Sequence, residues 1–358
     1  MTYTLPITSY PEPRSEFARL LFPGGVDMLK NRDAAGLKRH FDLADGLPSL
    51  EFAEAVWDAL IELGQSLPED DRPGPMRPWQ GAAVRLFIQN SHASLQGARQ
   101  GAGKTFVAAL VIACHLLLGS SVSVAMPTYR QGTSILIRRV RLFMQLLAGP
   151  CGLKRTVCNV DETQWDNGAR LSVLSTSPGG RRGTQGWTCR VMVIDESQDL
   201  KWDDLAWFMP LVALAMKQKR GRLLMLGVGA GDLAAPAMAR HHPGYASLVL
   251  DDATISELDR MRRRQLPPGH PELMEDSWAD FFAAERGLWD EDKYRQFYMC
   301  QAPGSGQRKV FDRVPEMVVT EAFPSGRGEV YPAASVEDKW MGLGTLTGAA
   351  PALPVVQQ

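Results

Sequence analysis

One octapeptide, from Ala98 to Thr105, constrains this chain of 358 residues more than any other feature. It reads Ala-Arg-Gln-Gly-Ala-Gly-Lys-Thr and follows the P-loop pattern except at its first position, where Ala98 replaces the usual glycine. Gly101 and Gly103 allow backbone N–H groups to turn inward around phosphate oxygens. The apolar run from Phe106 to Leu118 predicts a helix whose positive end points at the anion. The segment predicts a phosphate-binding turn followed by a helix.

The loop assigns chemistry to its individual residues. The ammonium of Lys104 is expected to reach the β and γ phosphates of ATP, and the hydroxyl of Thr105 is expected to ligate Mg²⁺. Backbone N–H groups of the preceding residues would surround the phosphates. The predicted nucleotide-binding residues of the loop are Ala98, Arg99, Gln100, Gly101, Ala102, Gly103, Lys104 and Thr105.

A second segment supplies the carboxylates that the loop lacks. Val191 to Ile194 is apolar and reads as a buried strand, and Asp195 and Glu196 follow it directly. Asp195 is predicted to hold Mg²⁺ at the sheet edge, and Glu196 to orient and deprotonate the attacking water. Alternatively, the two acids only end the strand and cap a helix that begins near Ser197. The first interpretation predicts ATP hydrolysis.

Composition sets the class of protein. The chain is 45% hydrophobic and 22% charged, which is typical of a globular protein, and its start shows no secretory signal. Five cysteines without metal-ligand spacing are expected to be reduced thiols in the cytoplasm, away from any membrane. Because 39 basic residues nearly balance 40 acidic ones, any contact with nucleic acid must come from local basic stripes.

Three such stripes are candidates for contacting a phosphate backbone without reading bases, and each is alternatively a solvated face. They consist of Arg138, Arg139 and Arg141, of Lys217, Lys219, Arg220 and Arg222, and of Arg260, Arg262, Arg263 and Arg264.

Apolar strand candidates alternate with helical stretches from Arg77 to about Leu250, which predicts an α/β fold with a mainly parallel central sheet flanked by helices. Asp166-Asn167-Gly168 predicts a hairpin. The strand candidates are Ser121–Met126, Leu171–Leu174, Val191–Ile194, Leu223–Val228 and Ser247–Leu250. We expect an accessory helical region over residues 1–75 with a helix from Leu50 to Leu63, an ATPase domain over 76–312 and a loose tail over 313–358.

In this order the motifs resemble those of the ATPase half of the large terminase subunit, the DNA-packaging motor of tailed bacteriophages. The likeness runs from about Arg77 to Asp312 and implies a RecA-like P-loop NTPase of the ASCE type. The likeness rests on the phosphate loop and the acidic pair. Five further segments also carry it: Arg77-Pro78-Trp79-Gln80, Met126 to Gln131, Gly180 to Gly183, Leu288 to Tyr298 and Lys309 to Asp312.

The resemblance also implies roles. Gln80 resembles the family's adenine-recognising glutamine, with Trp79 nearby for stacking; the alternative is a helix-start glutamine and a core tryptophan. Arg99 and Arg182 are candidate arginine fingers, with Arg181 the rival of Arg182. The implied partners are double-stranded DNA, a portal protein, the small terminase subunit and further copies of the chain in a ring, in the host cytoplasm at the procapsid portal.

The sequence departs from the family pattern at two places. The coupling segment after the acidic strand usually carries a polar side chain, but here it reads Gly227-Val228-Gly229-Ala230-Gly231-Asp232. Gly344 stands where a nuclease aspartate is expected, so we expect no nuclease activity, because two-metal cleavage needs several carboxylates. A separately encoded nuclease is then a further candidate partner. Two other functions stay open: a helicase or other translocase of superfamily 2 type, and a non-motor scaffold that binds ATP.

Overall fold

The computed structural model describes residues 29–30, 32–43, 45–127, 135–177 and 187–302. They belong to a first compact unit, Met1–Pro303, and the second unit, Gly304–Gln358, lies outside the described residues. Several sequence-predicted segments also lie outside them, namely Arg181 and Arg182, most of Met126 to Gln131, Gly180 to Gly183, Lys309 to Asp312 and Gly344.

The described residues alternate helices and strands. The helices are α1 (Ala34–His40), α2 (Leu50–Leu63), α3 (Pro78–Gln89), α4 (Lys104–Leu117), α5 (Leu136–Cys151), α6 (Met209–Lys217), α7 (Ala235–His241), α8 (Asp252–Arg263), α9 (Trp278–Leu288) and α10 (Glu291–Phe297). The strands are β1 (His92–Gly97), β2 (Ser121–Met126), β3 (Arg155–Cys158), β4 (Glu162–Trp165), β5 (Arg170–Ser175), β6 (Val191–Ile194), β7 (Arg222–Gly227) and β8 (Ala246–Leu250).

The strands form one sheet in the order β3-β4-β5-β2-β6-β7-β1-β8. All neighbours from β5 to β8 are parallel, and only the β3–β4 and β4–β5 pairs are antiparallel. The predicted mainly parallel sheet is confirmed. Because the sheet is parallel, the loops that follow β1, β6 and β7 all leave the same edge, so the phosphate loop and the acidic pair lie along one edge.

Helix α4 is the most buried helix of the core. Every residue from Val107 to Leu117 is buried, because the helix is covered by the sheet and by α2, α3 and α5. Asn167 in the β4–β5 hairpin closes its carboxyl end, since the Asn167 amide donates to Leu116 O at 2.9 Å. The same side chain accepts from Ala169 N at 3.0 Å, which holds the predicted hairpin turn.

The helices of the predicted accessory region pack into the same core. Ser49 begins α2 by accepting from Phe52 N at 3.1 Å, and Phe52, Val56 and Leu60 are fully buried. Trp57 meets the Phe106 ring edge-on at 6.2 Å. The described part of residues 29–75 therefore shares one hydrophobic core with the phosphate-loop helix. The domain boundary near residue 75 stays a prediction.

No helix of the described residues is long and apolar enough to cross a bilayer. All five cysteines are free thiols, four of them buried and Cys158 exposed.

The shared core predicts that α2 and the sheet unfold together. Phe52→Ala should lower the free energy of unfolding by about 3–5 kcal/mol, because it removes a fully buried ring and leaves a cavity. Urea titration followed by circular dichroism and by tryptophan fluorescence should show one coincident transition. The exposed control Glu51→Ala should change the free energy by less than about 0.5 kcal/mol. A separate early transition in the Phe52 variant would contradict the shared core.

Candidate functional site

The phosphate loop leaves the sheet at Gly97 and returns as α4. Gly101 and Gly103 have φ angles of 86° and 67°, in the left-handed region that favours glycine. Gly103 is the residue that precedes the first turn of α4, and Lys104 begins the helix. Thr105 follows in that first turn, half-buried. The sequence-predicted turn geometry is thus present at both glycines.

Two tryptophans fix the loop at Gly101. The indole N–H of Trp79, in α3, donates to Gly101 O at 2.9 Å, and Trp79 is fully buried. The Trp278 ring, at the start of α9, lies where a Cβ at residue 101 would meet it at 2.7 Å. Trp79 thus belongs to the core and supports the loop from below, as the second of its two sequence interpretations expected.

Lys104 contacts the main chain at the start of the phosphate loop and feels the charge of the acidic pair. Its ammonium donates to Gly97 O at 3.0 Å and to Ala98 O at 2.6 Å. Burial lowers the pKa of Lys104, while the negative charges of Asp195 and Glu196 act to raise it. The loop lysine and the two carboxylates therefore share one electrostatic environment, which is the juxtaposition that a triphosphate and its metal need.

The carboxyl group of Asp195 lies beside a second acid, Glu196. Burial and the neighbouring Glu196 raise its pKa to about 6, against the lowering effects of the Glu196 backbone N–H and of Lys104. Asp195 and the Thr105 hydroxyl are hard oxygen ligands of the kind that Mg²⁺ prefers. A divalent cation would offset the repulsion between the two carboxylates, so the donor set fits the predicted ion.

Glu196 has a left-handed backbone, with φ 52° and ψ 42°, which costs a non-glycine residue about 1–2 kcal/mol. Its carboxylate accepts from the Gln198 amide at 2.6 Å. The other end of the Gln198 side chain accepts from Val228 N at 3.3 Å. One glutamine therefore bridges the proposed base and the segment that follows β7.

The glycine-rich segment after β7 is packed closely on its far side as well. Gly229 N donates to Gln296 O at 2.8 Å, and a Cβ at residue 229 would stand within 2.5 Å of that oxygen. Only glycine permits this approach. Gln198 brings a polar side chain to the part of the segment from Gly227 to Gly231, where every side chain is apolar or absent.

The carboxyl end of α10 contacts three loops through the main chain. Successive carbonyls of Gln296, Phe297 and Tyr298 accept from Gly229 N at 2.8 Å, Arg99 N at 2.6 Å and Asp252 N at 3.0 Å. These donors follow β7, β1 and β8, which are neighbours in the sheet. The helix end uses carbonyls without partners inside the helix to align the phosphate loop with the glycine-rich segment.

Arg99, in the phosphate loop, packs against the end of α10 and against Trp289, which follows α9. Its guanidinium lies over the rings of Phe297 at 5.0 Å and Trp289 at 5.6 Å, in a cation–π arrangement. The side chain is exposed, as is that of Gln100, whereas Ala98 and Ala102 are buried. The finger role of Arg99 stays a prediction, and so does that of Arg182, which lies outside the described residues.

A cavity of about 250 Å³ adjoins the loop beside Gly101 and Gly103. Gln80 lines it, and the Gln80 Oε1 accepts from Arg77 N at 2.8 Å, which caps α3. The aromatic rings of Trp57, Trp79, Phe106 and Trp278 also line the cavity, together with Arg72 and Arg77. Flat apolar rings beside one amide match an adenine base, so the cavity is the candidate base site.

Two of the three basic stripes are engaged in contacts within the described residues. Arg138 and Arg139 pair with Asp71, and Arg141 donates to Asn159 O at 2.6 Å. The second engaged stripe forms ion pairs between Arg260 and Glu257, Arg262 and Glu272, and Arg263 and Asp259. The stripe at Lys217 to Arg222 has no ion pair in the described part of the chain.

Sequence reasoning missed three residues of the site. Gln198 has a visible signal, its spacing of two from Glu196, but the contact depends on the left-handed Glu196 backbone. Cys300 is buried near Lys104 although it is far away in sequence, and burial raises the pKa of its thiol to about 12, so the thiol is neutral there. Trp278 reaches Gly101 from a helix whose pattern carries no nucleotide motif.

No family model matches the sequence, and no curated protein is significantly similar to it. Similar solved structures do exist. The Thermus phage P74-26 large terminase ATPase domain is 14% identical, with 71% of this chain and 98% of that chain covered and a TM-score of 0.46. The HK97 bacteriophage large terminase is 13% identical, with 70% and 55% covered and a TM-score of 0.48.

The large terminase of a thermophilic bacteriophage is 9% identical, with 63% of this chain and 53% of that chain covered and a TM-score of 0.45. Other structures of this thermophilic phage protein are complexes with ADP and with ATP-γ-S. The present chain thus spans about half the length of the HK97 protein and of the thermophilic phage protein. At these identities and TM-scores the likeness concerns only the general arrangement of the chain.

Proposed function

We propose that this chain is the ATP-hydrolysing subunit of a phage DNA-packaging terminase, which translocates double-stranded DNA into a procapsid. The observation that carries the ATPase part is the position of Lys104, whose ammonium lies at the phosphate loop and within the electrostatic reach of Asp195 and Glu196. The DNA-packaging part rests on the order of motifs along the chain. A portal protein, a small subunit and other copies in a ring are the expected partners.

The loop would bind the phosphates of ATP. Backbone N–H groups from Gly101 to Lys104 and the amino end of α4 stabilise negative charge, and Lys104 exchanges its carbonyl contacts for phosphate oxygens. Thr105 and Asp195 would hold Mg²⁺, which when bound neutralises phosphate charge in the transition state. Gln80 and the rings around the cavity orient the base.

Glu196 would act on the attacking water. Its carboxylate accepts a water proton as the oxygen attacks the γ phosphorus and the bond to the β-phosphate oxygen breaks. Gln198 fixes the carboxylate at 2.6 Å and contacts Val228 N, so the direction of the base depends on the position of the segment after β7. An arginine, either Arg99 or one from a neighbouring subunit, would complete the site.

The ATPase assignment is tested with two substitutions. Lys104→Ala should abolish Mg²⁺-dependent ATP turnover together with nucleotide binding, because it removes the ammonium from the loop. Glu196→Gln should lower kcat by about 10²–10⁴-fold with nucleotide binding retained, because it removes only the base. Phosphate release and binding of a fluorescent ATP analogue measure the two effects. Glu51→Gln, an exposed acid on α2, is the control.

Unchanged turnover in the Glu196 variant would exclude its role as base. A scaffold would bind ATP without turnover even with portal and DNA present. A helicase would separate DNA strands without a portal, which a packaging motor should not do.

The raised pKa of Asp195 predicts that the stability of the fold depends on pH. Since its folded pKa of about 6 lies above the usual 3.8, the folded protein takes up a proton more readily than the unfolded chain, and stability falls as pH rises through this range. Asp195→Asn should therefore raise the melting temperature above pH 6 in the absence of nucleotide and Mg²⁺. The gain should shrink as pH falls from about 6 to 4. Asp161→Asn, at an exposed carboxylate, should show no such gain.

Gln198 is predicted to be a positioning residue. Gln198→Glu replaces the amide donor by a carboxylate that repels Glu196, so kcat should fall by about 10- to 100-fold, the value of a hydrogen bond to a charged group. The KM for ATP should not change, because Gln198 does not line the candidate base cavity. Steady-state kinetics separate the two constants. Equal loss in kcat and in nucleotide affinity would indicate a structural role instead.

A further inference from the structure

A cluster of basic residues occupies the sheet edge opposite the phosphate loop. Arg190 precedes β6, Arg222 begins β7, and Ser121 begins β2, and these three strands are parallel to one another. Strand β1 is also parallel to them and has six residues, so its two ends are separated by roughly 20 Å. We name the residues Lys38, Arg190, Arg220 and Arg222 the basic edge.

The members of the basic edge lie close together. Lys38 Nζ and Arg190 Nη1 each lie 3.4 Å from the point where a Cβ of residue 46 would stand. Arg222 N donates to Arg190 O at 3.0 Å, which joins the two arginines through neighbouring strands. Arg190 also reaches Asp45 O at 2.6 Å and the Ser120 hydroxyl at 3.4 Å. Lys38 and Arg190 thus lie side by side and are partly exposed, whereas Ser120 and Arg222 are buried.

These charges are not balanced within the described residues. No ion pair there includes a member of the basic edge, although the arginines of the other two stripes are mostly paired. Arg222 is only 9% exposed, and its Nη1 donates to a carbonyl, Gly221 O, at 2.9 Å. Burial lowers the pKa of Lys38, Arg190 and Arg222, and repulsion by neighbouring arginines lowers each further. Asp45 is the acid that opposes this effect at Arg190.

Exposed cations continue the surface along the turn from α6 to β7. Lys217, Lys219 and Arg220 are all exposed, and Lys219 has a left-handed φ of 58° in this turn. An extended row of positive charge suits a polyanion rather than a single small anion. The nucleotide cannot occupy it, because the phosphate loop leaves the opposite edge of the sheet.

We propose that the basic edge binds the sugar–phosphate backbone of duplex DNA independently of base sequence. Ammonium and guanidinium groups, here those of the partly exposed Lys38 and Arg190 and the exposed Arg220, contact phosphates without reading bases, as a protein that moves along any sequence requires. This inference rests on the proposed function for its choice of polyanion. It places DNA and nucleotide at opposite edges of one sheet, so that β6 and β7 connect the two.

The test uses the full chain and a duplex of arbitrary sequence in a fluorescence anisotropy titration at several salt concentrations. The double variant Lys38→Gln with Arg220→Gln should weaken binding about tenfold or more. Its slope of log Kd against log salt should fall by about 0.9 for each lost phosphate contact. The matched control, Lys154→Gln with Arg155→Gln, removes the same charge at exposed positions outside all three stripes and should bind like the parent chain.

Basal ATP turnover should be unchanged in both double variants, which separates this proposal from the ATPase proposal. Lys217→Gln with Lys219→Gln, a second pair of exposed positions, should lower the salt slope in the same direction if the first variant unfolds. An unaltered slope in both variants would overturn the inference. So would failure of an ATP-hydrolysing parent chain to bind duplex DNA, or equal affinity for duplex RNA or an acidic polypeptide.

Discussion

The carboxyl end of α10 holds the candidate site together. Its last carbonyls accept backbone N–H groups from the loops that follow β1, β7 and β8, with N···O distances of 2.6 to 3.0 Å. Those loops carry the phosphate-binding turn and the glycine-rich segment. If the helix end shifted, the turn at Arg99 and the segment at Gly229 would both lose a partner, and the spacing between Lys104 and Glu196 would no longer be fixed from that side.

A second constraint is electrostatic. Asp195 and Glu196 repel each other at the end of β6, and Lys104 lies near enough to moderate that repulsion without forming an ion pair within the described residues. Such an arrangement is costly for the protein alone and favourable once a phosphate and a divalent cation enter. The Gln198 amide orients the Glu196 carboxylate by donating a hydrogen bond to it, and the same amide accepts a hydrogen bond from Val228 N.

Local patterns in the sequence predicted much of the fold. Helix α2 and strands β2 and β6 have the predicted bounds, because each is a clear periodic or continuous apolar run between turn residues. The phosphate loop and the acidic pair were also recognisable, since their chemistry demands fixed residue types. Strand β1 was not among the strand candidates, because Ser94 and Gln96 interrupt its apolar pattern although both are buried. The α10 contacts could not be predicted, because main-chain hydrogen bonds leave no residue signature. The pairing of Arg138 and Arg139 with Asp71 depends on tertiary packing in the same way.

Because the α10 junction consists of peptide groups, almost any side chain is compatible with it at the donor positions, apart from the tightly packed Gly229. Proline is the exception, since it has no N–H to donate at residues 99, 229 or 252. Sequences can therefore drift widely in this region during evolution while the geometry of the candidate site persists. Recognition of distant relatives should rely on the backbone arrangement rather than on residue identities.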